Sequence, residues 1–179
     1  MLEPVNIVGS GDINREVVLD EVAASLNKSE NISVEFLEDA PWQLLIRFEQ
    51  GGMIILYRTG KYILRGGSSF DALEELKTNF FNALVESDIV ESEEQITYSI
   101  QNIVFLDEFD TKVDLSKAAV ELGLNQTEYE PEQFPSLIYR PDEFELVLLI
   151  FTTGTFIITG TTDEVEANQA SELLKKSLK

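Results

Sequence analysis

Neither histidine nor cysteine occurs among the 179 residues of this chain, so carboxylates, Lys, Tyr, Ser and Thr are the side chains left for chemistry. Their absence excludes hydrolase triads with an imidazole base, thiolate nucleophiles, disulfides and most zinc chemistry. One motif hints at an enzyme. Gly9-Ser10-Gly11 follows a predicted strand in the manner of a dinucleotide fingerprint. The next glycine that such a fingerprint requires is missing, because Asn14 stands there. No acidic residue is cleanly placed after a second parallel strand either. No catalytic activity, cofactor or metal is therefore expected. Phe134 precedes Pro135 at a loop-to-strand boundary, where a core residue is less expected.

Composition narrows the class further. The hydrophobic share is 44%, that of an ordinary globular protein. No apolar run approaches the ~18 residues that a membrane helix needs. The N-terminus shows no basic stretch ahead of an apolar core, so no secretory signal is expected. The formal net charge is −20. Nucleic-acid binders usually carry a basic balance, but whole-chain charge says little when one face differs from another. An acidic bulk fits a solvated surface, a salt-rich cytoplasm, or a surface that meets other proteins.

The elements that position these residues come in two copies. Val5-Asn6-Ile7-Val8 recurs as Gln101-Asn102-Ile103-Val104. Arg47 recurs as Arg140, Arg58-Thr59-Gly60 as Thr152-Thr153-Gly154, and Gly66 as Gly160. The order and near-constant spacing of four landmarks mark an internal repeat. The halves, residues 1–90 and 95–179, meet at the acidic joint Glu91-Ser92-Glu93-Glu94. Each half predicts a strand, a helix (17–26 and 115–122), strands in hairpins with turns at the Gly60 and Gly154 motifs, and a closing helix. Gly123 suits a helix end. The first closing helix, over about 69–85, places Leu73, Leu76, Phe80, Phe81 and Leu84 on one side. The second starts at Thr161 and Glu164 with capping-box spacing, and shows a partial stripe of Val165, Gln169, Leu173 and Leu174. Strands grouped between helices predict α+β: an antiparallel sheet with helices on one face.

That sheet has two apolar faces. Leu146, Leu148 and Ile150 share one face of a strand, and Val147, Leu149 and Phe151 share the other. Met53, Ile55 and Tyr57 against Ile54 and Leu56 repeat the pattern. Antiparallel hairpins normally leave one face polar. The second face is either an exposed binding surface or is buried by dimerisation or an unforeseen packing.

The segment from Glu128 to Arg140, with Phe134-Pro135 at its centre, resembles the stirrup of the TATA-box-binding protein family. So do Val147 to Gly154 and Ile157-Ile158-Thr159-Gly160 after it. The likeness covers roughly 80 residues of the second half. It is weaker in the first half, where Asn6, Val8, Gly60-Lys61 and Gly66 carry it. The short archaeal form is the nearer likeness. The resemblance implies a saddle of two pseudo-symmetric repeats forming one domain, its curved antiparallel sheet lying on DNA and its helices on the convex back. It implies a transcription initiation factor that enters the minor groove. That groove offers only acceptors over A·T pairs, which accounts for an apolar face. The family is itself the standing example of kinking by inserted Phe wedges, at about 80°.

Carried over residue by residue, the resemblance puts Phe134 and Phe151 at the two wedge positions of the second repeat. It makes Asn102 an amide donor to A N3 or T O2, Val104, Leu149 and Thr159 floor contacts, and Arg140 a phosphate contact. In the first repeat Asn6, Val8, Arg47, Ile55 and Lys61 stand at equivalent places. There Pro41 or Trp42 replaces a wedge Phe, with Trp42 the more sensible ring, and Tyr57 replaces the other. Arg65 stands where a Thr is expected, and is either a groove or phosphate contact or a disruption of the floor. Thr155, Thr161 and Thr162 replace basic residues common in the family, so weak DNA binding, or binding that needs a partner or high salt, is expected. The family's second stirrup binds transcription factor B, and Glu128, Glu130 and Glu132 would face a basic patch on it. The implied setting is the archaeal cytoplasm, on the nucleoid with the RNA polymerase machinery. The protein would be a monomer on DNA that could pair through its concave face when free. A divergent regulator working mainly through protein contacts is the rival reading.

Overall fold

Alternating apolar residues form the strands of a computed structural model that describes every residue except Glu38, Ser68 and Lys179. The chain makes two compact units: Asn6–Gln101, and Met1–Val5 with the residues from Asn102 onward. Strands β1 (Glu3–Asp12) and β6 (Thr97–Glu108) therefore each begin in one unit and end in the other.

In the first unit, α1 (Leu19–Leu26) follows β1, and β2 (Ile32–Leu37), β3 (Ala40–Phe48), β4 (Met53–Tyr57), β5 (Lys61–Gly67) and α2 (Phe70–Glu86) complete it. The antiparallel order is β2-β3-β4-β5-β1. α2 packs on β5, and α1 on β2 and β3. The expected side of α2 is buried, namely Leu73, Leu76, Phe80, Phe81 and Leu84. The Tyr62 ring meets Phe80 edge-on at 5.1 Å, and its hydroxyl donates to the Thr97 carbonyl at 2.7 Å. Burial pushes the Tyr62 phenol well above its usual range, so it remains a neutral donor.

In the second unit, α3 (Leu115–Leu122), β7 (Thr127–Glu128), β8 (Leu137–Tyr139), β9 (Val147–Ile150), β10 (Thr155–Thr161) and α4 (Glu164–Ser177) follow β6. The order is β6-β10-β9-β8-β7. Gly123 ends α3 at φ 95°, as expected. Buried Asp107 fastens α4 to the sheet. Its carboxylate accepts from Lys175 Nζ at 2.7 Å, the Met1 ammonium at 2.9 Å and Ser171 Oγ at 2.8 Å. Burial alone would raise this carboxyl, but those bonds and the Glu108 amide outweigh it and hold the group below the usual carboxylate range.

Three local expectations are corrected. α1 begins at Leu19, not residue 17, because Val18 is extended at φ −88° and ψ 107° and stands as the N-cap, while the Val17 amide donates to the Arg58 carbonyl at 2.9 Å. α4 is capped by Asp163, whose carboxylate accepts from the Val165 and Glu166 amides. Thr161 instead bonds the Glu166 side chain, so the Thr161/Glu164 capping box does not form. Val165 is exposed, and α4 packs through the small residues Ala167, Ala170 and Ser171 with Leu174.

The two hairpin turns are tied down alike. Ile13 N donates to Gly60 O at 3.0 Å and Phe109 N to Gly154 O at 2.9 Å. Val113 N donates to Thr152 O as Val17 does to Arg58 O. A Cβ on Gly60 would meet Arg15 O at 2.2 Å, and one on Gly154 would meet Thr111 O at 2.4 Å. Both glycines also have positive φ, 90° and 98°. The fingerprint-like glycines have a different cause. They lie within β1, and a Cβ on Gly11 would meet Thr97 O at 1.8 Å, while one on Gly9 would strike the Tyr98 ring at 2.5 Å. Close strand packing, not a phosphate-binding turn, requires them.

Candidate nucleic-acid interface

On the first unit's sheet, Leu44, Ile46, Ile54, Leu56 and Leu64 point to the helices and are fully buried. Their neighbours point the other way. The ladder aligns Leu45, Ile55, Ile63 and Ser10 in one row, and Arg47, Met53 and Arg65 in another. Arg47 Nη1 donates to Met53 Sδ at 3.5 Å. A cavity of 610 Å³ opens on this face, lined among others by Val8, Trp42, Tyr57, Lys61, Ile63 and Arg65. Arg58 also lines it, and among the described residues no Asp or Glu does. In a chain of net charge −20, that wall is cationic and aromatic over an apolar floor. Such a surface suits a polyanion whose bases can meet an apolar face. Among the described residues, Arg47, Arg58, Lys61 and Arg65 make no ion pair.

The second unit repeats the arrangement with different chemistry. Leu148, Ile150, Phe156 and Ile158 are buried against the helices. The opposite row of Ile138, Leu149, Ile157 and Leu106 is half-buried, as are Val104, Val147 and Phe151. The second apolar face thus stays partly open in each unit. Asn102 Oδ1 accepts from Gly160 N at 2.9 Å, and its Nδ2 donates to Thr159 Oγ1 at 3.1 Å. The backbone donor fixes which end of the amide is oxygen and leaves one N–H of the amide unused by these bonds. A turn in which the Gln133 and Phe134 amides both donate to Glu130 O at 2.9 Å presents Phe134, which is 43% exposed. Glu130 and Glu132 are exposed beside it.

The residues expected to bind thus fall into two sets, one on each unit. Val8, Trp42, Tyr57, Lys61 and Arg65 line one cavity, with Ile55 and Arg47 in adjoining rows of the ladder and Asn6 half-buried on β1. Asn102 and Thr159 are bonded to each other, and Leu149 faces Ile138 across the ladder. Arg140 does not stand alone. Its Nη1 donates to Glu128 Oε1 at 2.6 Å, which joins an expected phosphate contact to an expected partner contact. The ladder also bears on the Pro41/Trp42 ambiguity. Leu44 faces Leu56 as Leu137 faces Ile150. Counting back, Pro41 stands in the place of Phe134 and Trp42 in that of Pro135. The ring that lines the cavity is nevertheless Trp42, 55% exposed. Sequence reasoning missed Arg58 and the Gly160 amide. Arg58 served only as a turn landmark, although it directly follows Tyr57.

This geometry can be set beside known proteins. The model of the family "Transcription factor TFIID (or TATA-binding protein, TBP)" matches residues 97–179. TATA-box-binding protein C of Halobacterium salinarum is 38% identical, over 99% of this chain and 97% of its own. TATA-box-binding protein 1 of Haloferax volcanii is 34% identical, over 94% of this chain and 87% of its own. The solved structure of Methanococcus jannaschii TBP superimposes with a TM-score of 0.78 at 29% identity, covering 99% of this chain and 97% of that one. The expected α+β class is that of this fold. The family is one of transcription factors, not of enzymes, which removes the dinucleotide reading of Gly9-Ser10-Gly11. Among the described residues no helix is long and apolar enough to cross a membrane. With likeness above 30% identity over nearly the whole length of both chains, this chain belongs to the TATA-box-binding protein family.

Proposed function

We propose that this protein is an archaeal-type general transcription initiation factor. It binds TATA-type promoter DNA through the minor groove, bends it, and recruits transcription factor B and with it RNA polymerase. The observation that carries this reading is the first unit's cavity wall, where Arg58, Lys61 and Arg65 surround apolar and aromatic groups without a carboxylate among the described residues. An acidic protein that served only other proteins would have no need to set Arg58, Lys61 and Arg65 together on one wall. Asn102 supports the reading, because it offers an N–H donor where the groove floor offers acceptors. Phe134, Phe151, Trp42 and Tyr57 are the wedges that open base steps. Glu128, Glu130 and Glu132 line the contact with transcription factor B. The protein works in the cytoplasm, on the nucleoid.

A TBP-like regulator acting mainly through protein contacts is the second reading. The Arg140–Glu128 pair favours it, since it occupies an expected phosphate contact. A gel shift with a TATA-containing duplex, with and without transcription factor B, separates the two. The duplex carries donor and acceptor dyes at its ends. The initiation-factor reading expects a shifted band and shortened end-to-end distance. No shifted species at any salt, with or without the partner, overturns it in favour of the regulator.

A further inference from the structure

The pseudo-symmetry of the chain allows its two units to be compared position by position. Met53 faces Arg65 across one ladder and Val147 faces Thr159 across the other, so Arg65 and Thr159 are counterparts. Lys61 faces Asp12, and Thr155 faces Glu108. Arg58 and Thr152 receive the same backbone bond, from Val17 and Val113. Arg47 and Arg140 complete the series. Three cations of the first unit are therefore threonines in the second. The fourth, Arg140, is already bonded to Glu128. At the Thr155 corner the exposed Glu108 has lost the cation that stands opposite Asp12. The reading side shows no such imbalance. The second unit has Phe134, Phe151 and the Gly160-oriented Asn102, and the first has Trp42, Tyr57 and Asn6 besides its cations.

We infer that the two units divide the holding of DNA. The first supplies the phosphate contacts and with them the salt dependence, and the second supplies apolar and amide contacts that salt hardly touches. The inference rests on the DNA-binding reading above. Each phosphate neutralised contributes a slope of about −0.9 to log K against log salt. Four cations on one unit thus bound the total slope at about 3 to 4 in magnitude.

The test is fluorescence anisotropy of the full chain on a TATA duplex over a KCl series. Lys61→Thr combined with Arg65→Thr gives the first unit the second unit's residues. The slope is expected to shrink by about 1.8, with Arg140→Thr changing it by less than about 0.5. If the double variant melts before the assay temperature, Arg58→Thr alone carries the same expectation, a loss of about 0.9. A slope carried by Arg140, or one unmoved by the first-unit substitutions, overturns the division while leaving DNA binding intact. A wild-type chain that binds the duplex at no salt overturns the DNA-binding reading, and the division falls with it.

Discussion

Gly160 decides what Asn102 can do. Its amide holds Oδ1, so Nδ2 is the end that can reach an acceptor. Asn102→Asp separates the reading role from the structural one. The carboxylate still accepts from Gly160 N and from the Thr159 hydroxyl, so unfolding free energy in urea should change by less than about 1 kcal/mol. The donor is lost and a negative charge faces an acceptor floor. Affinity for a TATA duplex should fall at least tenfold, within the ~1–3 kcal/mol of a base contact. Unchanged affinity in an anisotropy titration would remove Asn102 from the interface. The sequence named Asn102 and Thr159 separately, through a family likeness, but nothing in their spacing said that they bond to each other. That link depends on the shift in register between Ile158 and Thr161, which turns the Gly160 N–H toward Asn102. Arg58 was hidden for a related reason. A turn residue shows its local role in the sequence and its wall-lining role only in three dimensions.

Helices and strands were more legible where large apolar side chains set the period. The 3.6-residue stripe of α2 appeared with all of its large buried residues, and only the small Ala83 was missed. The stripe expected on α4 holds at Leu174, which is buried, but not at Val165 and Gln169, which are exposed, because the helix docks through alanines and a salt bridge that give little hydrophobic contrast. Its attachment instead depends on Lys175 and Ser171 meeting Asp107, with the Lys175 ammonium also 5.5 Å from the Phe156 ring centroid. Lys175→Met should cost ~1.5–3 kcal/mol at neutral pH, the range of a hydrogen bond to a charged group. The sign of its pH dependence follows from the depressed Asp107 carboxyl. Stability from a lowered carboxylate pKa is present above the unfolded value of about 3.9, and is lost as pH falls toward the folded value. The gap between wild type and variant should therefore be widest at neutral pH and narrow below about pH 3.9. Urea denaturation at neutral and acid pH measures it. A gap that stays constant with pH would mean that Lys175 acts by packing alone.

At the scale of the whole chain, charge was legible in amount but not in placement. Composition gave 33 acidic against 13 basic residues, and no periodicity revealed that Arg47, Arg58, Lys61 and Arg65 lie on the sheet face turned away from the helices. The first repeat therefore looked like the weakened half when judged by its wedges, whereas its face holds the larger share of cations. The remaining excess of carboxylates has its own consequence. A net charge of −20 makes the compact state repel itself, and the unfolded chain relieves that by spreading its charges apart. Salt removes the penalty. The screening length falls from about 10 Å at 0.1 M to about 3 Å at 1 M, shorter than most distances between surface charges. Of the ion pairs among the described residues, the best buried is the one around Asp107, and burial protects it from screening. The exposed pairs, Lys117–Glu121 and Arg140–Glu128, are worth little to begin with. Relief of repulsion should therefore outweigh loss of attraction. The thermal unfolding midpoint should rise between about 0.1 and 1 M KCl, followed by circular dichroism. NaCl at equal ionic strength should raise it by a similar amount if screening is the cause, whereas a midpoint that falls in KCl would show that attractive pairs, not repulsion, dominate the electrostatics of this acidic chain.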